Sequence, residues 1–380
     1  PVFYGAISLY LKHVFPLLRR APAWFDRIMN SGLALKFAAR MAGSTDPQGL
    51  EDMTISMLLG EQGEQRDELD KLIDWIEDHC QADVIHLSNA LLLGLVKRIK
   101  ERLDVMVVCS LQDEDEWVDA MEERFRPKTW KLMSERAEDV DLFIPVSEYY
   151  AKKMKSVLKI PDSKLITQHI TIDPDDYADT TGRPLNIGYI SRMCETNGLE
   201  ILVDAFILLK KDPKWSDVNL VITGGSTGAD DDFIKMIKKK IKNAGLQEAV
   251  DFHKDFVQEG RTEFFSKVAL LSVPASEGTA FGLFLLESMA SGVPVVQPSI
   301  GAFPEIIEKA GGGVVYNDNT PECLANALSG LLSDPEQLSV LSRKGRAGVS
   351  EEFSIHNQTR EIIEVYKRRI NEPNMDTNVT

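Results

Sequence analysis

The sequence predicts an α/β protein of two domains, each an open parallel sheet covered by helices. Three observations predict it. Short apolar runs rich in β-branched residues alternate with helical patterns, the arrangement of βαβ units. Each run is short and apolar enough to suit a buried strand. A polar stretch, Asp173–Pro184 (DPDDYADTTGRP), divides the alternation into two series and reads as a linker. A length of 380 residues suits roughly two such domains.

The elements follow in order. Over Glu64–Asp78, Leu69, Leu72, Ile73 and Ile76 recur at helical spacing. Strands are expected at ADVIHLS (Ala82–Ser88), DVMVVCS (Asp104–Ser110), DLFIPVS (Asp141–Ser147) and KLITQHI (Lys164–Ile170). Ser147 stands where a helix starting near Glu148 needs its N-cap. The second series has strands LNIGYIS (Leu185–Ser191), VNLVITG (Val218–Gly224), AVDFHK (Ala249–Lys254), VALLSVP (Val268–Pro274), VPVVQP (Val293–Pro298) and GGVVYN (Gly312–Asn317). Helices are expected at Leu199–Lys211 and Asp231–Ala244, with a last one at His356–Ile370 before a polar tail. The resulting division is 1–172, a linker at 173–184, a second domain at 185–350 and a terminal segment at 351–380.

Composition narrows the classes. Apolar content of 43% and charged content of 27% are those of a soluble globular protein. A net charge of -16 without a long basic run disfavours nucleic acid as the main partner, yet allows a local basic pocket for phosphates. Cys80, Cys109, Cys194 and Cys323 are far apart and form no C-x-x-C, so they read as reduced thiols of a cytoplasmic protein, with no metal site. No apolar run nears the roughly 20 residues of a membrane span, and no signal peptide is visible. No G-x-G-x-x-G follows a first strand, which argues against a dinucleotide oxidoreductase. The chain opens on Pro1, so its start reads as cut.

Ligands of open α/β sheets bind at the carboxyl ends of the strands. Four strand ends of the second series carry candidates. Ser191-Arg192 comes first: a guanidinium is a planar, permanently charged fork suited to a diphosphate, the alternative being a surface Arg paired with a carboxylate. In ITGGSTG, Gly224 opens a turn that lets backbone approach a ligand, or simply makes a strand-to-helix turn. The third end holds His253 and Lys254; a lone His is more often structural than a base contact. The fourth is EGTAFGLFLLESMASGVPVV (Glu277–Val296). A helix begins near Phe281–Gly282, and its tip offers unpaired N–H groups and partial positive charge to an anion. Glu287 follows about one turn later. Its carboxylate can accept two hydrogen bonds, which suits vicinal ribose hydroxyls. The alternative is an exposed helix residue, but Leu286 and Met289 flank it, and a buried idle charge is costly.

These residues carry a resemblance. IGYISR with NGLEILVDAF, VNLVITGG, VDFHKDF, ALLSVPASEG and FGLFLLESMASGVPVVQPSIGAFPEII stand in the order found in group 1 (GT4-type) retaining glycosyltransferases of the GT-B fold, over roughly Leu185–Leu332. The first series is similar through VIHLSN, VVCSLQDED and VSEYYAKKM. The resemblance implies two Rossmann-like domains facing each other across a cleft, the first truncated at its N-terminus by about 50 or more residues; Tyr4-Gly5-Ala6 look like later first-domain sequence. It implies a donor nucleotide bound by the second domain, an acceptor by the first, and a final helix that crosses back. By position, Glu287 would hold the ribose hydroxyls, the Phe281-Gly282-Leu283 backbone would face the donor phosphates and sugar, and Arg192 would neutralise the departing diphosphate. No metal is then required, because side chains supply the cation, and the leaving diphosphate can take the acceptor proton.

Three positions depart from the family pattern. The usual E-x7-E spacing places Thr279, not Glu, eight residues before Glu287, while Glu277 gives E-x9-E; the ungapped match favours Thr279, and a bulge would let Glu277 serve. The usual Lys five residues after the Arg is Asn197, which brings no charge; Lys254 or Arg261 is a candidate replacement. The usual His after the first-domain strand is Gln112, followed by Asp113, Glu114 and Asp115, a trio that binds acceptor hydroxyls or faces solvent. The implied activity is transfer of a hexose-type sugar from a nucleoside-diphosphate-sugar donor to a carbohydrate or lipid-linked acceptor, with retention, in the cytoplasm or at a membrane surface. The competing classes are a catalytically impaired nucleotide-sugar-binding subunit and a nucleotide-sugar epimerase.

Overall fold

The structure, a computed structural model, describes residues 49–178, 182–253 and 258–371. They divide into two units. The first takes the chain up to Pro145, Ala151–Ile166 and the end from Arg369; the second takes Val146–Tyr150 and Thr167–Arg368. The Tyr4-Gly5-Ala6 stretch lies outside the described residues.

The first unit contains α1 (Glu51–Leu58), α2 (Arg66–His79), β1 (Val84–Leu87), α3 (Val96–Arg102), β2 (Met106–Leu111), α4 (Glu114–Asp119), α5 (Arg126–Ala137) and β3 (Leu142–Pro145), followed by most of α6 (Glu148–Leu158). The three strands are parallel in the order β1-β2-β3. In β2 and β3, Val107, Val108, Leu142 and Phe143 are fully buried, while the edge strand β1 exposes His86. Ser147 caps α6 as expected, its Oγ accepting from Tyr150 N at 3.0 Å.

Two expectations fail here. KLITQHI makes no strand; Leu165 forms one isolated bridge to Phe143. Beyond it two side chains of the run are engaged far along the chain, with Gln168 Nε2 donating to Gln358 and His169 meeting Glu305. Of the acidic trio only Asp113 is exposed. Glu114 is 1% exposed, its two oxygens accepting from Ala90 N (2.9 Å) and Gln112 N (2.8 Å). Asp115 is buried against Lys153, and Asp113 sits in the left-handed region at φ 56°. Gln112 turns its amide to Ser88 O at 3.0 Å.

The second unit runs β4 (Ile187–Ile190), α7 (Leu199–Leu209), β5 (Leu220–Thr223), α8 (Asp231–Asn243), β6 (Val250–Phe252), α9 (Gln258–Ser266), β7 (Leu270–Leu271), α10 (Leu283–Ala290), β8 (Val295–Pro298), α11 (Phe303–Ala310), β9 (Gly313–Tyr316), α12 (Pro321–Leu332), α13 (Pro335–Glu352) and α14 (Ile355–Asn371). All six strands are parallel, in the order β6-β5-β4-β7-β8-β9. The chain therefore steps outward from β4 to β6, returns past β4 and proceeds the other way. That reversal makes the crevice beyond β4 and β7 the topological switch point, where doubly wound sheets bind ligands. Ile187, Tyr189, Leu202, Phe206, Ile222 and Leu270 form the buried centre of this unit. β7 is shorter than the apolar run predicts. Its ladder ends where Ser272 N reaches Gly188 O, and Pro274, which has no N–H, turns the chain out.

Candidate functional site

Six parallel strands deliver six loops to one edge of the second sheet, and the loops are stitched together there. Met193 N donates to Gly225 O (2.9 Å) and Ser276 N to Thr196 O (2.9 Å), while Asn319 Nδ2 donates to Ala275 O (2.8 Å). Two glycines permit this closeness. A Cβ on Gly224, at φ +142°, would lie 1.8 Å from Ser191 O; one on Gly198, at φ +71°, would lie 1.8 Å from Pro274 O. Gly224 is therefore required by its own neighbouring strand end, whatever ligand lies beyond.

Arg192 leaves the end of β4 half exposed, with 51% of its side chain accessible. Its guanidinium clasps Asp230, Nε to Oδ2 at 2.9 Å and Nη2 to Oδ1 at 3.0 Å. Asp230 also accepts from Thr227 N (2.7 Å) and Oγ1 (2.9 Å), the reciprocal cap of the turn leading into α8. Burial alone would raise this carboxyl; the bonds from Arg192 and Thr227 outweigh it and leave the carboxyl below its ordinary range. The expected surface pairing thus exists, in a bidentate form that fixes the direction of the fork. Asn197 stays in the same loop, its amide donating to Ser191 Oγ (3.0 Å) and Arg192 O (3.1 Å). It braces the Arg192 backbone.

Gly282 precedes α10 at φ +98°, with its missing Cβ aimed at Phe303 Cε1 (2.8 Å). The helix itself starts at Leu283, one residue later than the turn suggests, and Leu283 is exposed. Phe281 is 3% exposed and packs its ring near His169 and Phe353, so only its backbone is placed to meet a ligand. Thr279 and Glu277 differ in setting. Glu277 is exposed, whereas Thr279 Oγ1 is buried without a hydrogen-bond partner.

Glu287, one turn into α10, is 5% exposed, so it is no idle surface residue. Its Oε1 accepts from Tyr177 Oη at 3.3 Å and from Arg261 Nη1. Among the described residues neither contact involves Oε2. Burial lifts the Glu287 carboxyl above its usual range, against the opposing pull of Arg261 and of the Tyr177 hydrogen bond. Arg261 is thus committed to Glu287 and does not stand in at Asn197. Lys254 lies outside the described residues. His253 closes the end of β6, its backbone N donating to Ile222 O at 2.8 Å.

Two residues escaped the sequence reading, Tyr177 and Asp230, and a third, Arg261, was read as a stand-in for the missing Lys and not as the partner of Glu287. Tyr177 lies in the stretch read as linker. Asp230 stands at the end of T-x-x-D, a capping pattern visible in the sequence. Arg261 precedes the buried Phe264 and Phe265 by three and four residues, hence shares their helix face; an Arg on an apolar face calls for a buried acid.

Residues 184–334 match the family described as "Glycosyl transferases group 1". Among relatives, D-inositol 3-phosphate glycosyltransferase of Corynebacterium urealyticum is 23% identical over 274 residues, 71% of this chain and 58% of that protein. The lipopolysaccharide core biosynthesis mannosyltransferase LpsB of Rhizobium meliloti is 28% identical over 186 residues, 48% of this chain and 51% of its own length. The chain thus spans little more than half the length of these relatives. Among solved structures, Anabaena HepE in complex with UDP superposes with a TM-score of 0.70 at 18% identity, covering 82% of this chain and 84% of that one. Sucrose-phosphate synthase of Thermosynechococcus elongatus gives 0.65 at 18% identity, covering 80% and 79%. Five sequence motifs in order, a doubly wound second sheet with its switch point between β4 and β7, and these likenesses agree: residues 184–334 match the group 1 glycosyltransferases, and the chain has the two-domain α/β fold of the GT-B type.

Proposed function

We propose that this protein transfers a hexose-type sugar from a nucleoside-diphosphate-sugar to the hydroxyl of a carbohydrate or lipid-linked acceptor, with retention of anomeric configuration. The observation that carries the reading is Glu287: a carboxylate buried one turn into a helix that starts at a left-handed glycine, beside the switch point of the sheet. Burying a carboxylate is unfavourable unless it is used, and one with an oxygen to spare suits a pair of ribose hydroxyls. Leu285 N is taken by Gly282 O (3.0 Å), and the other first-turn N–H groups of α10, at Leu283 and Phe284, favour the diphosphate.

In the transfer, the bond from the anomeric carbon to the diphosphate oxygen breaks and a bond to the acceptor oxygen forms. The acceptor proton passes to the departing phosphate oxygen, so no protein base is needed. Negative charge grows on the diphosphate, and Arg192, aimed by Asp230, is the cation that meets it. Thr279 Oγ1, buried and unpartnered, is the nearer candidate for the donor sugar; Glu277 is the other. Among the described residues no helix is long and apolar enough to cross a membrane.

The test is calorimetric titration of the full chain with UDP, GDP, ADP and their sugars, followed by transfer assays with the donor that binds. UDP is the first choice because the superposing Anabaena protein holds it. Binding with transfer to a sugar or lipid-linked acceptor supports the reading. Binding without transfer on any acceptor makes the protein a nucleotide-sugar-binding subunit, and isomerised donor without acceptor makes it an epimerase.

A further inference from the structure

We infer that Arg261 is a positioning residue that keeps Glu287 in its ligand-accepting form, helped by Tyr177: both donate to Oε1 and so leave Oε2 for the pentose hydroxyls of the donor. The inference rests on the function proposed above and adds to it two residues outside the motifs that carry the family resemblance.

The geometry is asymmetric. Glu287 keeps 6% of its side chain accessible and Arg261 32%, so the acid is inside and the cation reaches in from α9. Tyr177 approaches from the 173–178 segment. The remaining charged groups around α10 are occupied elsewhere. Arg346 on α13 donates to Ala290 O (2.5 Å) and Tyr177 O (3.4 Å), pinning the Tyr177 backbone. Arg183 holds the carbonyls of Ser291 and Gly292, beyond the last turn of α10. On α11, Glu305 pairs with His169, and Lys309 with Glu352. Asp176 acts on Tyr177, whose hydroxyl is pushed up first by burial and then by Glu287, so Tyr177 remains a donor.

The chemistry then depends on one proton. An ionised Glu287 accepts hydrogen bonds from two hydroxyls; a protonated one must donate and loses half its accepting capacity. Burial favours the protonated form and Arg261 opposes it. Removing the cation should therefore weaken nucleotide binding through proton uptake, which makes the loss depend on pH. A residue that merely packs would weaken binding equally at all pH values.

The experiment is calorimetric titration of the full chain with UDP, GDP and ADP between about pH 6 and about pH 8.5, on the unaltered protein, Arg261→Met, Arg261→Lys and Tyr177→Phe. Taking the ratio of variant to unaltered Kd cancels the titration of the nucleotide phosphate. The expected Arg261→Met ratio is at least about tenfold at the acid end and narrows as pH rises, by up to about tenfold per pH unit. Arg261→Lys restores most of the affinity and a flat ratio. A ratio for Arg261→Met that is near one, or raised but constant with pH, overturns the inference. If Arg261→Met gives no cooperative melt, Tyr177→Phe decides: a smaller ratio sloping the same way supports the inference and a flat one overturns it. If the unaltered protein binds none of the three nucleotides, the proposed function fails and the inference falls with it, a result distinct from normal binding with a flat ratio.

Discussion

Two arginine–carboxylate pairs in the second unit are built in opposite senses. In Arg192–Asp230 the acid is the buried partner, with 6% of its side chain accessible, and the arginine is half exposed. In the function proposed above, Asp230 aims the fork that meets the diphosphate. In Arg261–Glu287 the acid is again the buried partner, but in the same proposal the acid binds the donor and the arginine is its support. Position in the fold explains the difference. Arg192 hangs from a strand end at the sheet edge, while Glu287 rises from the inner face of a helix; the proposed function sets the leaving diphosphate at the first and the pentose at the second. The same pair of residue types thus presents a cation in one place and an anion in the other, and the group further from solvent does not have to be the one that serves.

The largest expected effect breaks the first pair. Arg192→Ala should lower kcat for transfer by about 10²–10³, as removal of one fixed group stabilising developing charge does. The Kd for the nucleotide-sugar donor should change less than about tenfold, since its ground-state charge is smaller. Equal losses in kcat and affinity would make Arg192 a simple binding residue. Asp230→Asn sharpens the point: the guanidinium remains but loses its anchor, so kcat should fall by only about tenfold. Glu287→Ala is next and should do the reverse. Two charge-assisted hydrogen bonds at about 1.5 kcal/mol each predict a Kd about 10²-fold weaker, with kcat at saturating donor little changed. An unchanged calorimetric Kd would remove Glu287 from the site.

How much of this contrast was legible in the sequence depends on distance along the chain. The places of Arg192 and Glu287 in the fold were legible because each is local: an Arg directly after an apolar strand, a carboxylate between Leu286 and Met289 on a helix opened by Gly282. The six strands of the second unit were legible for the same reason, each lying in a short, mainly apolar run. The partners were not. Arg261 lies 26 residues before Glu287, and Tyr177 lies 110 before it, in a stretch whose Asp, Gly and Pro content reads as linker. Composition reports solvation on average and says nothing of the one tyrosine that turns inward. Glu114 and Asp115 misled in the opposite way: a run of acids resembles a wet surface, but these two cap backbone N–H groups and pair with Lys153 inside the first unit.

Smaller effects test the scaffolds of the two pairs. Gly224→Ala would force a Cβ into Ser191 O beside Arg192, at a φ that side chains avoid, and should cost about 2–3 kcal/mol by chemical denaturation. A cost under about 0.5 kcal/mol would mean that the β4 and β5 ends separate easily. Thr279→Val removes a buried hydroxyl that satisfies nothing. Stability should stay within about 1 kcal/mol or rise, because no hydrogen bond is lost. Transfer should nonetheless slow if this hydroxyl meets the donor sugar, whereas an unchanged rate, with Glu277→Gln impaired, would give that contact to Glu277.

The smallest effect is the slope of stability with pH, where the two acids differ in sign. Glu287 ends above its ordinary 4.5 because burial outweighs Arg261 and Tyr177, so the folded protein holds that proton more tightly than the unfolded chain does. Its contribution to stability therefore declines as pH rises through the unfolded value toward the folded one. Asp230 ends below its ordinary 3.8, burial being outweighed by Arg192 and Thr227; its contribution is present above that value and is lost as pH falls below it. Urea titrations at a series of pH values should show Glu287→Gln gaining on the unaltered protein as pH climbs from about 4.5, by less than about 1.4 kcal/mol per pH unit. Asp230→Asn should run parallel to the unaltered protein over that range and diverge from it only in more acid solution. Parallel curves for both variants throughout would show that neither carboxyl changes its proton affinity on folding, and the contrast between the pairs would then be one of exposure alone.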